Sequence, residues 1–445
     1  MPASQAAHAD APSPGDATPD LRRRYADVRG RTCALAAPLS PEDAQLQSMP
    51  EASPAKWHLA HTTWFFARFV LDDPAVIPEG WDYLFNSYYV GAGERHARTL
   101  RGLVSRPSLH EVLAWRDEVD ARVLRGLEDG RFDAAACDVL VLGMHHEQQH
   151  QELLLTDIKH ALWCNPLKPA YRSDLPWPRL AAAGGPGPLR WLRREEAIVE
   201  TGAPPWPANA APFVYDNETP RHRVLLPAHA LAERPVSNAD FAAFVADGGY
   251  RTPGLWLSDG WDTAQREGWT RPLYWHEDGV REFTLGGWRE RDPHAPVCHL
   301  SHYEADACAR WAGARLPTEA EWEAAAAGRR IEGNFADAGA PLHPVATAVA
   351  NADAGTPSAS VPSHPLGLFG DTWEWTGSAY APYPGFRPLP GTLGEYNGKF
   401  MSGQLVLRGG SCATPAGHAR ASYRNFFAPH ARWQFSGLRL AKDID

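Results

Sequence analysis

The chain is poor in the residues that staple or anchor a protein. Its 445 residues include six cysteines: Cys33, Cys137, Cys164, Cys298, Cys308 and Cys412. None forms a CxxC pair, and no spacing suggests a disulfide framework in a chain of this length. A reducing compartment, the cytoplasm, is therefore expected. No run approaches the roughly 18 consecutive apolar residues of a membrane span, so no membrane partner is expected either. Residues 1–20, MPASQAAHADAPSPGDATPD, lack the apolar centre of a signal peptide and read as a disordered tail. Basic residues are outnumbered, with 43 Lys and Arg against 53 Asp and Glu, and they form no dense stripe. Nucleic acid is thus excluded as a partner. The pattern also contains no βαβ alternation, no phosphate loop and no internal repeat.

What is present is a globular balance, 44% hydrophobic and 22% charged, in a chain too long for one ordinary core. The first part is helical. LRRRYADVRGRTCALAAPL, SPAKWHLAHTTWFFARFVL, SLHEVLAWRDEVDARVLRGLED and FDAAACDVLVLGMHHEQQHQELLLTDIKHALW carry apolar residues at helical spacing, and Ser108 is placed as an N-cap. Such helices predict a four-helix bundle over residues 21–170, a fold whose interior commonly hosts metals. Residues 171–195 are Pro/Gly-rich and read as a linker. Residues 196–445 hold short segments broken by Gly, Pro, Trp and Asp. SNADFAAFVADGG, HYEADACARWAG and TEAEWEAAAAG stand out there as helices. The 18 Trp and 40 Pro fit a loop-rich domain held by large aromatics. The class expected is α+β.

The stretch GMHHEQQHQELLLTDIKH contains His146 and His150, four apart, so one helix points both imidazoles the same way. That suits two adjacent ligands of a first-row divalent metal. With Glu147 the string also reads HExxH, the zinc-hydrolase helix in which the Glu is a base. Zincins take a further ligand after a turn, whereas Asp157 and His160 continue the same helix. An earlier helix offers His58 and His61 in WHLAH, of which one needs to face inward; Leu59, Thr62 and Phe66 flank the inner face expected for His61. The residues alone leave three readings open: an oxidative metal site with open positions, a zinc hydrolase, and a non-enzymatic module with structural histidines.

WHLAHTTWFF, LFNSYYVGAGERHARTLRGLVSRP and HHEQQHQELLLTDIKH resemble the DinB-like domain of the ergothioneine-biosynthesis sulfoxide synthases. FVYDNETPRHRVLL, RLPTEAEWEAAA, GLFGDTWEWTGS and VLRGGSCATPAGHARASYRNFFAPHARWQFSGLRLA resemble their formylglycine-generating-enzyme-type domain. The resemblance spans nearly the whole chain after residue 20. It implies a DinB-like four-helix bundle followed by a C-type-lectin-like domain. It also implies iron(II), Fe(2+), as cofactor, with O2 used to join a thiol sulfur to the imidazole C2 of hercynine (Nα-trimethylhistidine). Carried over, the metal ligands are His61, His146 and His150, and Glu152 is an outer or structural carboxylate.

The NSYY branch of this family places two tyrosines in the active site, here Tyr88 and Tyr89. Another branch has its tyrosine in the C-terminal domain, where this chain has Leu393 with Tyr396 close by. The resemblance implies that Arg98 and Arg101 hold the carboxylate of the sulfur donor, that Gln149 contacts the substrate imidazole, and that Asn425 contacts hercynine. Phe426 stands where the family has an aromatic, and so is expected to face the trimethylammonium group. Phe427 and Ala431 replace the Asp and Arg of γ-glutamylcysteine-using members, which argues against that donor. Cys412 stands alone in GGSCATP, so the C-terminal domain is expected to bind substrate rather than act as a second, copper-binding catalyst. EAIVETGAPPWPANAAPFVYDNE departs from the Gly-Gly pattern of cysteine-using members. That departure keeps a selenosugar donor, and the selenoneine synthase subfamily, in view.

Overall fold

The computed structural model describes residues 14–177, 187–207, 212–337, 339–346 and 364–444. Its N-terminal part is built from α1 (Pro14–Ala36), α2 (Ala55–Phe65), a short α3 (Trp81–Phe85), α4 (Leu109–Glu128) and α5 (Ala134–Cys164). The four long helices form the expected bundle. α1 begins at Pro14, inside the stretch expected as a tail; proline at a first helical position has the φ a helix needs and sacrifices no hydrogen bond. Residues 1–13 of that stretch lie outside the described residues. Ser108 caps α4 as expected: it accepts from Glu111 N–H at 3.2 Å, and the Glu111 carboxylate accepts from Ser108 N–H at 2.7 Å. Asp133 caps α5 through Ala136 N–H.

Every residue of α2 is buried, because the helix is packed by α4 and α5 and flanked by α1 and α3. Its polar residues must therefore find partners inside the protein. The bundle interior also holds an ion cluster. Glu147 accepts from Arg29 Nη1 at 2.8 Å, from Thr32 Oγ1 at 2.5 Å and from Arg116 Nη2, so one carboxylate ties α1, α4 and α5. Burial pushes the Glu147 carboxyl up, but Arg116 and Arg29 outweigh it and hold it down at about 2.

The second part contains β1 (Trp191–Arg194), β2 (Ala197–Thr201), β3 (His222–Leu226), β4 (His229–Ala232), α6 (Asn238–Ala246), α7 (Ser258–Arg266), β5 (Arg281–Thr284) and β6 (Gly287–Glu290). It continues with α8 (His302–Trp311), α9 (Glu319–Ala326), β7 (Trp373–Ala379), β8 (Leu405–Arg408), β9 (Asn425–Phe427), β10 (Ser436–Leu438) and β11 (Ala441–Asp443). The three expected helices are α6, α8 and α9, each opened by a Ser or Thr capping box. Strand order is β1-β4-β11 in one sheet and β10-β7-β8-β9 in another, with hairpins β2-β3 and β5-β6. The chain is thus α+β, as expected. β1 lies within the stretch expected as a linker and pairs antiparallel with β4, so the C-terminal sheet begins there. Residues 178–186 of that stretch lie outside the described residues.

The β7–β10 sheet faces the bundle. Glu152 of α5 accepts from Trp373 Nε1 at 2.7 Å, Ser411 Oγ at 2.5 Å and Thr414 Oγ1 at 2.7 Å. A carboxylate with three donors from the other domain is a clasp between the two, as the structural reading of Glu152 requires. Asp157, one turn further along α5, accepts from Trp433 Nε1 at 3.1 Å.

Candidate metal centre

The spacing of four in α5 sets His146 and His150 on one face, and α2 brings His61 against them. Each of the three offers a ligand atom, and these atoms lie within 4.8 Å of one another. His146 Nε2 is 3.3 Å from His61 Nε2 and 3.1 Å from His150 Nε2. Burial lowers the proton affinity of all three, His146 to about 3, so the imidazoles are neutral at pH 7 and each carries one bare nitrogen.

Hydrogen bonds behind the rings decide which nitrogen is bare. His61 Nδ1 lies 2.6 Å from Phe85 O, a pure acceptor, so Nδ1 carries the proton and Nε2 points inward bare. Behind His150 stands His58, whose Nδ1 is 2.8 Å from His150 Nδ1 and whose Nε2 is 3.2 Å from Asp157 Oδ2. The carboxylate accepts the His58 Nε2 proton. His58 Nδ1 then accepts from His150 Nδ1–H, and His150 Nε2 is bare as well. Two lone pairs thus converge on His146 Nε2 inside a buried space, where a cation or the His146 ring proton satisfies them. An all-imidazole donor set suits a first-row divalent metal, and the residues fit the expected group. Of the two histidines in WHLAH, His61 points into the cluster and His58 orients a ligand. Replacing His58 with alanine should weaken metal affinity ~10- to 100-fold with all three ligands in place. A competition titration reading unchanged affinity would contradict the relay.

The zinc-hydrolase alternative is corrected by this geometry. Glu147 follows His146 on the helix and so faces the opposite side, where Arg29, Arg116 and Thr32 occupy its oxygens. Glu147 is therefore not available to take a proton from a metal-bound water. The HExxH match is incidental to the bundle's ion cluster.

Beside the three histidines lies a cavity of about 270 Å³ walled by both domains. His150, Gln149, Tyr88, Arg98 and Arg101 line it from the bundle, and Asn425 and Phe426 of β9 line it from the sheet. Arg101 is buried, lies 3.4 Å over the Trp57 ring and donates to Ser53 Oγ at 2.9 Å and Ser87 Oγ at 3.0 Å. It has hydroxyl partners but no carboxylate, and burial pushes its guanidinium well below the usual value. Such a cation is poised for an incoming anion. Arg98 sits at the exposed rim, holding Glu51 O.

The two tyrosines part ways. Tyr88 lines the cavity, and its buried hydroxyl stands close to the hydroxyls of Tyr89 and Tyr396. Tyr89 is also buried, but its ring packs among Trp64, Phe65 and Phe69 at centroid distances of 5.7, 6.3 and 5.2 Å and does not line the cavity. Burial raises the proton affinity of both phenols. Phe426 lines the cavity with Tyr380 stacked on it at 4.0 Å and 10° and with Phe400 5.7 Å away at 30°. Asn425 Oδ1 accepts from Phe426 N–H at 2.9 Å.

Sequence reasoning left Tyr396 outside the site, yet its ring stands edge-on to His146 at 5.4 Å and 5.5 Å from Tyr88. The segment carrying it is docked on the bundle by Glu395, which accepts from Val90 and Gly91 N–H at 2.9 Å each. Tyr423, two residues before Asn425, lines the cavity too and was equally unmarked. The only signal for either was proximity in sequence to positions already singled out.

A bundle carrying a buried three-histidine cluster, beside a cavity shared with a second domain, is a candidate centre for a first-row divalent metal. Residues 24–154 match the DinB superfamily, and residues 193–444 match the family described as sulfatase-modifying factor enzyme 1-like domain. The chain is 35% identical to a hercynine oxygenase of Mycolicibacterium thermoresistibile, over 96% of this chain and 95% of that protein. It is 34% identical to the hercynine oxygenase of Mycolicibacterium smegmatis, over 91% and 94%. A formylglycine-generating enzyme of Streptomyces coelicolor matches 60% of this chain at 30% identity, over 96% of its own length. The chain belongs to the ergothioneine-biosynthesis sulfoxide synthase family. No described helix is long and apolar enough to cross a membrane.

Proposed function

We propose that this protein is a non-haem iron(II), O2-dependent synthase that forms a C–S or C–Se bond at the imidazole C2 of hercynine. The observation that carries the reading is the three-histidine cluster beside a two-domain cavity that also holds Arg101, a buried arginine whose side chain is hydrogen-bonded to hydroxyls. The likeness to hercynine oxygenases over nearly the full chain supports hercynine as acceptor and O2 as oxidant. Bound iron(II), held by His61, His146 and His150, would supply electrons to O2 and a seat for the donor's chalcogen. For a thiol donor the balance is simple. The S–H and C2–H hydrogens leave as water with one oxygen atom, and the other oxygen remains on sulfur.

The protein's own groups have distinct tasks in this reading. Arg101, with Arg98 at the rim, takes the anionic end of the donor. Gln149 and Asn425 take the acceptor. Tyr88, its buried hydroxyl close to the phenols of Tyr89 and Tyr396 at the cavity wall, delivers a proton during the oxidative step, and the Tyr89 ring packs against it at 4.7 Å. Tyr88→Phe should shift turnover from coupling toward oxidation of the donor alone. An unchanged product ratio would remove Tyr88 from the proton-donor role, and the same comparison on Tyr89→Phe tests whether it acts only through Tyr88.

The test of function is direct. Iron-loaded enzyme is incubated with hercynine and O2 plus cysteine, γ-glutamylcysteine or a selenosugar, and product masses are read. Coupled product is expected with cysteine or the selenosugar and none with γ-glutamylcysteine; no hercynine adduct with any donor would overturn the proposal. The departure of EAIVETGAPPWPANAAPFVYDNE from the cysteine-using pattern favours the selenosugar as a second reading, which the same masses decide.

A further inference from the structure

Gln149 reaches the cavity from α5, and a chain of buried side chains stands behind it. Its Nε2 donates to Tyr423 Oη at 2.6 Å. Tyr423 Oη is 3.2 Å from His418 Nε2, and His418 Nδ1 is 3.2 Å from Gln148 Oε1 and 3.1 Å from His145 Nδ1. Tyr423, His418 and His145 are all buried, and the His145 ring is stacked on Phe213 at 3.9 Å. Gln149 Oε1, shielded from solvent, has no partner.

The chain has a polarity. Burial and Arg420 keep His418 neutral, so it has one N–H and one bare nitrogen. An amide oxygen only accepts, so Gln148 Oε1 places the proton on Nδ1. Nε2 is then bare and takes the Tyr423 hydroxyl proton. The phenol oxygen in turn accepts the Gln149 N–H, which turns Gln149 Oε1 away from the chain as an unused acceptor.

We propose that His418 and Tyr423 are positioning residues that lock the Gln149 amide with its oxygen offered to the ligand, so that the site selects an azole bearing a ring N–H. This rests on the hercynine reading of the same cavity and adds to it the tautomer-reading device. A ligand lacking that N–H leaves the oxygen unpaired, which is how a buried polar site rejects an isostere.

The test is calorimetric, on metal-free protein, with hercynine and its thiazole analogue, in which ring sulfur replaces the N–H. Wild type should prefer hercynine by about tenfold, and the preference should fall to near unity in Tyr423→Phe and His418→Phe. The double variant should lose no more than either single one, because all act through one amide. Gln149→Met, which leaves the His418–Tyr423 pair intact, should lose the preference as well and guards against misfolding of the others. Equal weakening of both ligands in Tyr423→Phe and His418→Phe would show a merely structural role and overturn the inference, as would an undiminished preference. Wild-type protein that binds neither ligand would instead overturn the hercynine reading, and the inference with it.

Discussion

Replacing His150 with alanine is expected to strip the protein of iron and to abolish coupling. The loss is larger than one ligand among three suggests. His150 is the ligand held by the Asp157–His58 relay, and its removal leaves His58 Nδ1 unpaired in a buried space. The remaining pair, His61 and His146, sit on different helices with nothing to hold a cation against water. A bound metal contributes several kcal/mol of stabilisation to such reactions, so turnover should fall by on the order of a thousandfold or more. Metal analysis after anaerobic purification, with circular dichroism to confirm folding, reads the result. Stoichiometric iron and unchanged turnover in the variant would mean that the cluster is structural and that the metal and the chemistry lie elsewhere.

Replacing Glu147 with alanine is expected to damage stability rather than chemistry. The substitution leaves Arg29 and Arg116 as buried guanidiniums without their shared carboxylate, although Arg29 keeps Asp120 at 2.6 Å. Breaking a buried pair from one side costs about 3–5 kcal/mol, and the thermal midpoint should drop by on the order of 10 °C. The pH dependence follows from the depressed carboxyl. With a folded value of about 2 against an ordinary 4.5, the carboxylate favours the folded state above pH 4.5. That contribution disappears as pH falls from 4.5 through about 2, and the alanine variant should lack this part of the acid transition. Thermal scans from pH 7 to pH 3 measure both effects. A variant as stable as wild type but catalytically dead would return Glu147 to the role of a base.

The bundle was legible because its signals are local: helical spacing, the Ser108 cap, and two histidines four apart. The histidine triad was legible because i,i+4 geometry fixes two ligands and the resemblance supplies the third. The split between Tyr88 and Tyr89 was not legible. Adjacent residues in a loop have no fixed periodicity, and only the packing of Trp64, Phe65 and Phe69 around Tyr89 decides which ring meets the cavity. The orientation of Phe426 was hidden for a similar reason, since Tyr380 stacks on it from a segment 46 residues earlier in the chain. Tyr396 and His418 enter through loops whose docking depends on contacts such as Glu395 to Val90 N–H, a pairing that no sequence period encodes. The start of α1 at Pro14 shows the opposite case, a local rule for proline at a helix start that the tail-like composition masked.

The measurement closest to the centre of the proposal joins metal and product in one sample. Protein purified without oxygen is loaded with iron(II), mixed with hercynine and a donor, and exposed to O2; bound metal and product mass are then read together. Iron stoichiometric with the chain, together with an adduct bonded at the hercynine C2, is the expected result. Stoichiometric zinc with peptide hydrolysis, or iron with no hercynine adduct, would contradict it.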